Sequence, residues 1–307
     1  MMLIFLLLFA TYANSQADTP TISKEIIFVS DTQAPLWFEP FLHKTNHNRI
    51  ATRKILSNIL QRRPAAVYIL GDVVSLGYSN RQWKPMDIYL DSLRSMGVNV
   101  NAILGNHEVL LCAKKGERKF QQRFPNHVKT GYISIFDSVA MVLLNSNFNK
   151  LTAIENAKQI LWYKQTLDSL DGDPSILFII TGCHHSPYSN SKVVGSSKAV
   201  QQKFVSTFFQ SKKSRLFLSG HSHNFERFQQ QEKDFLVIGG GGGIHQPLLE
   251  GKEALPDLLL KYKPLFHYLS IHRTAYILQL TSLFLKTDFT GFEEGEKLSI
   301  PLQKHLE

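Results

Sequence analysis

The chain alternates short apolar runs with longer amphipathic stretches. Glu25-Ile26-Ile27-Phe28-Val29 is β-branched and aromatic and closes at Ser30-Asp31, which predicts a buried strand. From Asn48 to Arg62 the apolar residues Ile50, Ile55, Leu56, Ile59 and Leu60 recur at helical spacing until Pro64 stops the run. Residues 66–70 predict a second strand ending at Gly71-Asp72, residues 81–96 a helix, and residues 98–104 a strand ending at Gly105-Asn106-His107-Glu108. Strand–helix–strand repetition of this kind implies parallel pairing with right-handed crossovers.

Past Gly131 the pattern changes. Residues 132–136 and 139–144 read as hairpin-like strands, and 153–170 as a helix with Ile160, Leu161, Tyr163 and Leu167 on one side. A strand over 176–181 leads into Gly182-Cys183-His184-His185. A helix over 200–210 precedes the strand 216–218, which runs into Gly220-His221-Ser222-His223. Residues 235–238, 267–272, 275–280 and 283–288 read as antiparallel strands. No Pro/Gly/Ser linker and no repeat interrupts the pattern, so 16–307 is expected to be one domain, with a core at about 24–244 and C-terminal antiparallel strands over 265–303. The five glycines Gly239 to Gly243 are followed by Gln246-Pro247 and not by a helix, which argues against a dinucleotide loop.

Composition narrows the class. The 307 residues are 43% hydrophobic and 19% charged, which excludes a disordered tail, a collagen-like fibre or a small disulfide scaffold. Lys and Arg number 34 against 25 Asp and Glu, a formal charge of +9 that favours anionic partners without choosing among them. A specific nucleic-acid partner is not expected, because no aromatic-interleaved basic motif or recognition helix is present. Met1 to Ala10 is an unbroken apolar run, short of the roughly 20 residues that span a bilayer. Followed by Ala13-Asn14-Ser15, it predicts a signal peptide over 1–15, export to a periplasmic or extracellular space, and no stable membrane span after cleavage. The two cysteines, Cys112 and Cys183, fit neither a zinc finger nor a redox CxxC; one disulfide or two structural thiols would suit them.

The candidate chemistry lies where open α/β sheets gather their sites, at the C-terminal ends of strands. There stand Asp31 and Gln33, Asp72, Asn106 and His107, His184 or His185, then His221 and His223. Carboxylates, amide oxygens and imidazoles without thiolate form a ligand set suited to Mn, Fe, Zn or Mg. Seven ligands exceed one tetrahedral site but serve two metals sharing a carboxylate. A water between such metals, about 3.5–4 Å apart, would be deprotonated near neutral pH.

The ordered motifs Asp31-Thr32-Gln33, Gly71-Asp72, Gly105-Asn106-His107-Glu108, His185 and Gly220-His221-Ser222-His223 resemble the calcineurin-like metallophosphoesterase family, over about Glu25 to Ile244. The stretch His221 to Arg227, followed by glycines, is most similar to the purple acid phosphatase branch. The resemblance implies an α/β fold, a four-layer sandwich of two mixed β-sheets flanked by helices, and two divalent or mixed-valence metal ions. Asp31, Gln33, Asp72 and His223 would hold the first metal. Asp72, Asn106, His185 and His221 would hold the second, with Asp72 as bridge; His185 is preferred to His184 because the family ligand usually lies two residues before a proline, here Pro187. His107 would stabilise the phosphoryl group or protonate the leaving alkoxide, with Glu108 either orienting it or standing as a strand-end acid.

Two departures qualify the resemblance. Gln33 stands where the family usually has His, which implies a looser first site or a preference for Mn or Mg. Ser75 stands where the purple branch has its tyrosine, so no charge-transfer colour is expected. The implied activity is hydrolysis of an anionic phosphate ester by metal-bound hydroxide; a catalytically reduced metal-binding protein is the alternative. Selectivity would reside in loops such as 34–47 and 245–263, where Trp37, Phe38 and Phe41 are either substrate cover or ordinary core. The basic stretch Lys114, Lys115, Arg118, Lys119 and Arg123 lines an approach to the site or forms a solvated helix face.

Overall fold

The computed structural model describes residues 24–36, 39, 46–259, 265–274 and 277–301. The signal-peptide segment and Trp37, Phe38 and Phe41 lie outside the described residues. In the first half, β1 (Ile26–Val29), α1 (Asn48–Arg62), β2 (Ala66–Ile69), α2 (Asn80–Ser95) and β3 (Asn99–Ala102) follow the predicted alternation. β1, β2 and β3 pair in parallel. α3 (Ala113–Arg123) carries the basic stretch.

The second half contains β4 (Tyr132–Phe136), β5 (Val139–Leu144), α4 (Ala153–Gly172) and β6 (Phe178–Cys183). α4 opens with a capping box in which Thr152 accepts from the Glu155 N–H and Glu155 reaches back to the Thr152 N–H. A short helix α5 (Lys198–Val200) passes through the π-helical segment Gln201–Val205 into α6 (Ser206–Gln210). Then come β7 (Ser214–Ser219), β8 (Phe225–Gln230), β9 (Lys233–Ile238), β10 (His267–Arg273), β11 (Ile277–Leu285) and β12 (Phe292–Pro301).

Two six-stranded mixed sheets result, in the orders β12-β11-β10-β1-β2-β3 and β4-β5-β6-β7-β9-β8. Three buried clusters define four layers. Ile26, Phe28, Tyr68, Leu143, Ile180 and Leu218 fill the space between the sheets. Ile27, Val29, Ile55, Trp83 and Phe120 pack α1, α2 and α3 on the outside of the first sheet. Tyr163, Leu167, Phe204, Phe208 and Phe217 pack the remaining helices on the outside of the second. Strands buried on both faces carry continuous apolar runs, which is why β1, β2 and β5 stood out in the sequence.

Three elements differ from the sequence reading. In place of two strands over 275–280 and 283–288, one continuous strand, β11, runs from Ile277 to Leu285, and its register with β12 shifts between Thr281 and Leu283. The polar Thr281-Ser282 pair reads as a turn but marks this irregularity, with Ser282 fully buried. β8 has no strand pattern in the sequence, and β12 falls inside the expected strand region 265–303 without one of its own: both are sheet edges, and their charged residues suit an edge better than a core strand. Cys112 is exposed and Cys183 buried, and both are free thiols. Among the described residues, no helix is long and apolar enough to cross a membrane.

Candidate metal centre

The motif-bearing turns follow strand ends, and several need unusual backbone. Asp31, Asp72 and His221 adopt φ of 60°, 50° and 66°, the left-handed region that non-glycine residues rarely occupy. Glycines pack directly against Asp72 and Asp31 because nothing larger fits. A Cβ on Gly105 would collide with the Asp72 carboxylate and main chain, and one on Gly220 with Ser30 and the Asp31 carboxylate.

These turns bring two groups of side chains together. In the first, His184 Nε2 lies 3.2 Å from Asp72 Oδ2 and 3.0 Å from Asn106 Oδ1, and ligand atoms of Asp72, His184 and His221 all fall within 4.8 Å of one another. In the second, His223 Nε2 lies 3.4 Å from Asp31 Oδ1, with the Gln33 amide alongside. Gln33 satisfies its amide NH2 when that group faces the main-chain carbonyls of Asp72 and Asp31, at 3.0 and 3.1 Å, which leaves Oε1 on the His223 side.

Hydrogen bonding fixes what the imidazoles present. His184 Nδ1–H donates to the Leu70 carbonyl at 2.9 Å, and His223 Nδ1–H to the Ile244 carbonyl at 2.6 Å. In the neutral rings both Nε2 atoms therefore carry bare lone pairs, directed at carboxylate and amide oxygens. Acceptor faces acceptor in a buried setting, an arrangement that needs a cation. The donor set, oxygen and nitrogen held by outer hydrogen bonds, fits divalent metals. The same carboxylates draw positive charge to this point, a proton on the ring or a metal ion in its place: burial disfavours a charged His184, yet the Asp72 carboxylate raises the ring to about 10. Asp72, against the opposing effect of burial, is held well below the usual carboxylate range by His184 and His107.

The structure brings His184, not His185, against Asp72 and Asn106. Cys183 packs with the outer helices, so the two-residue period of β6 turns Gly182 and then His184 toward the inner face. His185 is held by Ser146, whose hydroxyl lies 2.8 Å from Nδ1 and accepts from the His185 main-chain N–H at 3.0 Å. Its ring packs 4.4 Å from that of His221, and burial with His184 alongside pushes it down to about 3. His221 donates its main-chain N–H to both Asp31 oxygens, at 3.1 and 3.0 Å.

His107 stands at the edge of the first group. Its main-chain N–H donates to Asp72 Oδ1 at 2.8 Å, its Nδ1–H donates to the Ser75 carbonyl at 3.0 Å, and its Nε2 lies 3.9 Å from Asp72 Oδ2. Burial opposes its charged form, but Asp72 and the Ser75 carbonyl raise its pKa above the ordinary value. Ser75 Oγ donates to the Ala34 carbonyl, and no phenol takes that position.

Glu108 is neither an exposed strand-end acid nor hydrogen-bonded to the His107 ring: fully buried, it clamps the turns by accepting from the N–H groups of Asp72 at 2.9 Å, Gly105 at 2.8 Å and Val74 at 3.1 Å. Other supporting residues went unread in the sequence. Asn147 Nδ2 donates to the carbonyls of Leu104 and Gly105. Asn145-Ser146-Asn147 follows β5 as the other motifs follow their strands, and that position was the available signal. Glu226, also fully buried, accepts from the Asn190 N–H and from the hydroxyls of Ser189 and Ser222, tying the turn between His221 and His223 to the loop after Pro187. The glycine run lies under Asp31, with Gly241 and Gly243 N–H donating to the carbonyls of Ser30 and Asp31 at 2.9 Å.

Among solved structures, the chain is similar to a purple acid phosphatase from yellow lupin seeds, with a TM-score of 0.69 at 15% identity. It covers 92% of this chain and spans 54% of that one. It is also similar to GAP50, the anchor in the inner membrane complex of Plasmodium, with a TM-score of 0.64 at 14% identity, 92% of this chain and 90% of that. A dimetal phosphatase from Danio rerio gives 0.54 at 13% identity, 92% of this chain and 100% of that. No curated protein matches at the sequence level. The profile of the calcineurin-like phosphoesterase family matches residues 24–225, about two thirds of the chain, and the protein belongs to that family.

Proposed function

We propose that the protein is an exported, dinuclear-metal-dependent phosphoesterase acting on an anionic phosphate ester. The observation that carries this reading is the convergence of bare Nε2 lone pairs on oxygen ligands at two adjacent points. Asp72, Asn106, His184 and His221 would hold one ion, and Asp31, Gln33, His223 and the shared Asp72 the other. When bound, such ions supply Lewis acidity toward phosphoryl oxygens and lower the pKa of a water to make a nucleophile.

The chain's own residues orient and protonate. Asp72 and Asp31 are fixed by main-chain N–H donors from His107 and His221, so the carboxylates cannot swing away. His107 carries its second ring nitrogen toward the site while Ser75 holds the first, and Asp72 favours its protonated form. It is thereby suited to give a proton to the departing oxygen or to stabilise the phosphoryl group. The positive net charge favours capture of an anion.

The test is turnover of p-nitrophenyl phosphate by protein loaded with Mn, Zn or Fe. The reading predicts activity lost to chelator and restored by Mn, and strongly reduced in His107→Ala with metal content retained. A second reading, a metal-binding protein without catalysis, is favoured by Gln33 in the place of the family's usual histidine; GAP50, an anchor by its name, shares the fold. Full metal loading with no hydrolysis across monoesters, diesters and pyrophosphates would select it. Export rests on Met1 to Ala10, and N-terminal sequencing of secreted protein tests it, an intact Met1 being the contrary result.

A further inference from the structure

The five glycines Gly239 to Gly243 follow β9, and a segment without side chains has no anchor of its own. Close packing requires them: a Cβ on Gly239 would strike the Ser222 main chain, and one on Gly243 the His223 ring. The segment is pinned from outside instead. Besides the bonds from the Gly241 and Gly243 N–H groups to the Asp31 turn, the Gly240 carbonyl accepts from the His267 N–H at 2.9 Å. A side chain completes the set. Asn48, 4% exposed in the first turn of α1, donates from Nδ2 to the Gly242 carbonyl at 2.9 Å and to the Gly243 carbonyl at 3.0 Å. Its two amide hydrogens thus serve two successive carbonyls, while its Oδ1 accepts from the Asn46 N–H at 3.0 Å.

The next carbonyl along the chain, that of Ile244, takes the His223 Nδ1–H at 2.6 Å. Asn48 therefore grips the two peptide groups immediately before the one that sets the His223 tautomer. The same turn of α1 touches the other half of this ligand set: Thr52 Oγ1 lies 3.3 Å from the carbonyl of Thr32, the residue between Asp31 and Gln33. With glutamine at position 33, such support gains weight. Asp72, Asn106, His184 and His221 include two imidazoles, whereas Asp31, Gln33, Asp72 and His223 include one. An ion with a single nitrogen donor and a weak amide donor depends on how firmly that imidazole is held.

We propose that Asn48 is the positioning residue of this ion: it holds the 242–244 segment so that His223 Nε2 stays aimed at Asp31 and Gln33. The proposal rests on the dinuclear reading above. Without the amide, two carbonyls lose their donor and the glycines regain their freedom, so His223 keeps its ring but not its fixed direction. Asn106 and His184 sit on turns pinned by Glu108, Asn147 and the Leu70 carbonyl instead. The loss therefore falls on one ion of the pair.

The experiment is calorimetric Mn titration of the full-length protein as wild type, Asn48→Ala and the isosteric Asn48→Asp, with circular dichroism to confirm folding. Wild type is expected to bind two ions. Removing the outer support of a ligating histidine costs about 10- to 100-fold in metal affinity, so Asn48→Ala is expected to weaken one ion by that factor and leave the other within about twofold. Asn48→Asp keeps the size of the side chain and the Asn46 contact but turns an acceptor on two carbonyls. It is expected to weaken the same ion at least as much, and it carries the test if the alanine variant does not fold. His223→Ala identifies the ion: in that background, adding Asn48→Ala is expected to change Mn binding by less than about twofold. Two ions bound with unchanged affinity by Asn48→Ala, an equal loss at both ions, or a full further loss on top of His223→Ala overturns the proposal. A wild type that binds fewer than two ions removes the dinuclear reading itself, and the role of Asn48 with it.

Discussion

Glu108 offers the most direct test of how the centre is held. Its carboxylate accepts three buried main-chain N–H groups, two on Oε2 from Asp72 and Gly105 and one on Oε1 from Val74. Glu108→Ala leaves all three without a partner. At about 1–3 kcal/mol for each stranded donor, the loss is roughly 3–9 kcal/mol, a large part of the stability of an ordinary domain. Glu108→Gln keeps one oxygen for the Asp72 and Gly105 donors and turns its NH2 toward Val74, so the cost is about 1–3 kcal/mol. Urea unfolding followed by circular dichroism gives both values, and calorimetric Mn titration of the still-folded Gln variant reports the centre. The order expected is wild type, then Gln, then Ala, with weaker Mn binding in the Gln variant because Asp72 and Asn106 sit on the released turns. An alanine variant within about 0.5 kcal/mol of wild type would refute the clamp.

Other substitutions probe the site and its surroundings. Gly105→Ala drives a Cβ into Asp72, and a displacement of about 1 Å there predicts a fall of about 100-fold in aryl phosphate turnover; an active variant would contradict the packing. His127 is buried against Phe120 and Tyr132 with neither ring nitrogen hydrogen-bonded, and burial pushes it down to about 4. Its unfolded form binds the proton more readily, so its contribution to stability is lost as pH falls from 6.5 toward 4, by up to about 3 kcal/mol. His127→Phe removes that loss, and a wild-type-minus-variant stability difference independent of pH would disprove it. With Ser75 in place of a phenol, iron-loaded protein is expected to show no strong tyrosinate-type visible band; a violet preparation refutes this.

The helices and doubly buried strands of the first half were legible because burial on both faces leaves an uninterrupted apolar run, as in β1 and β2. Edges were not: β12 carries Glu293, Glu294, Glu296 and Lys297, which blunt an exposed strand and read locally as loop. At the site, the sequence supplied the residue types and their order. It could not decide between His184 and His185, because that choice depends on which face of β6 points inward, set by Cys183 packing among the outer helices. Nor could it show how Glu226 and Asn147 bind groups 36 to 43 residues away in the chain. Long-range hydrogen bonds leave no periodic trace in a sequence.

The central claim is that Asp72 bridges two cations. Metal content after Mn loading and exhaustive buffer exchange, compared between wild type and Asp72→Ala, tests it most directly. The account predicts two ions per wild-type chain and loss of both in the variant. A wild type that retains no divalent ion under any loading condition, or an Asp72→Ala protein that keeps both, would contradict it.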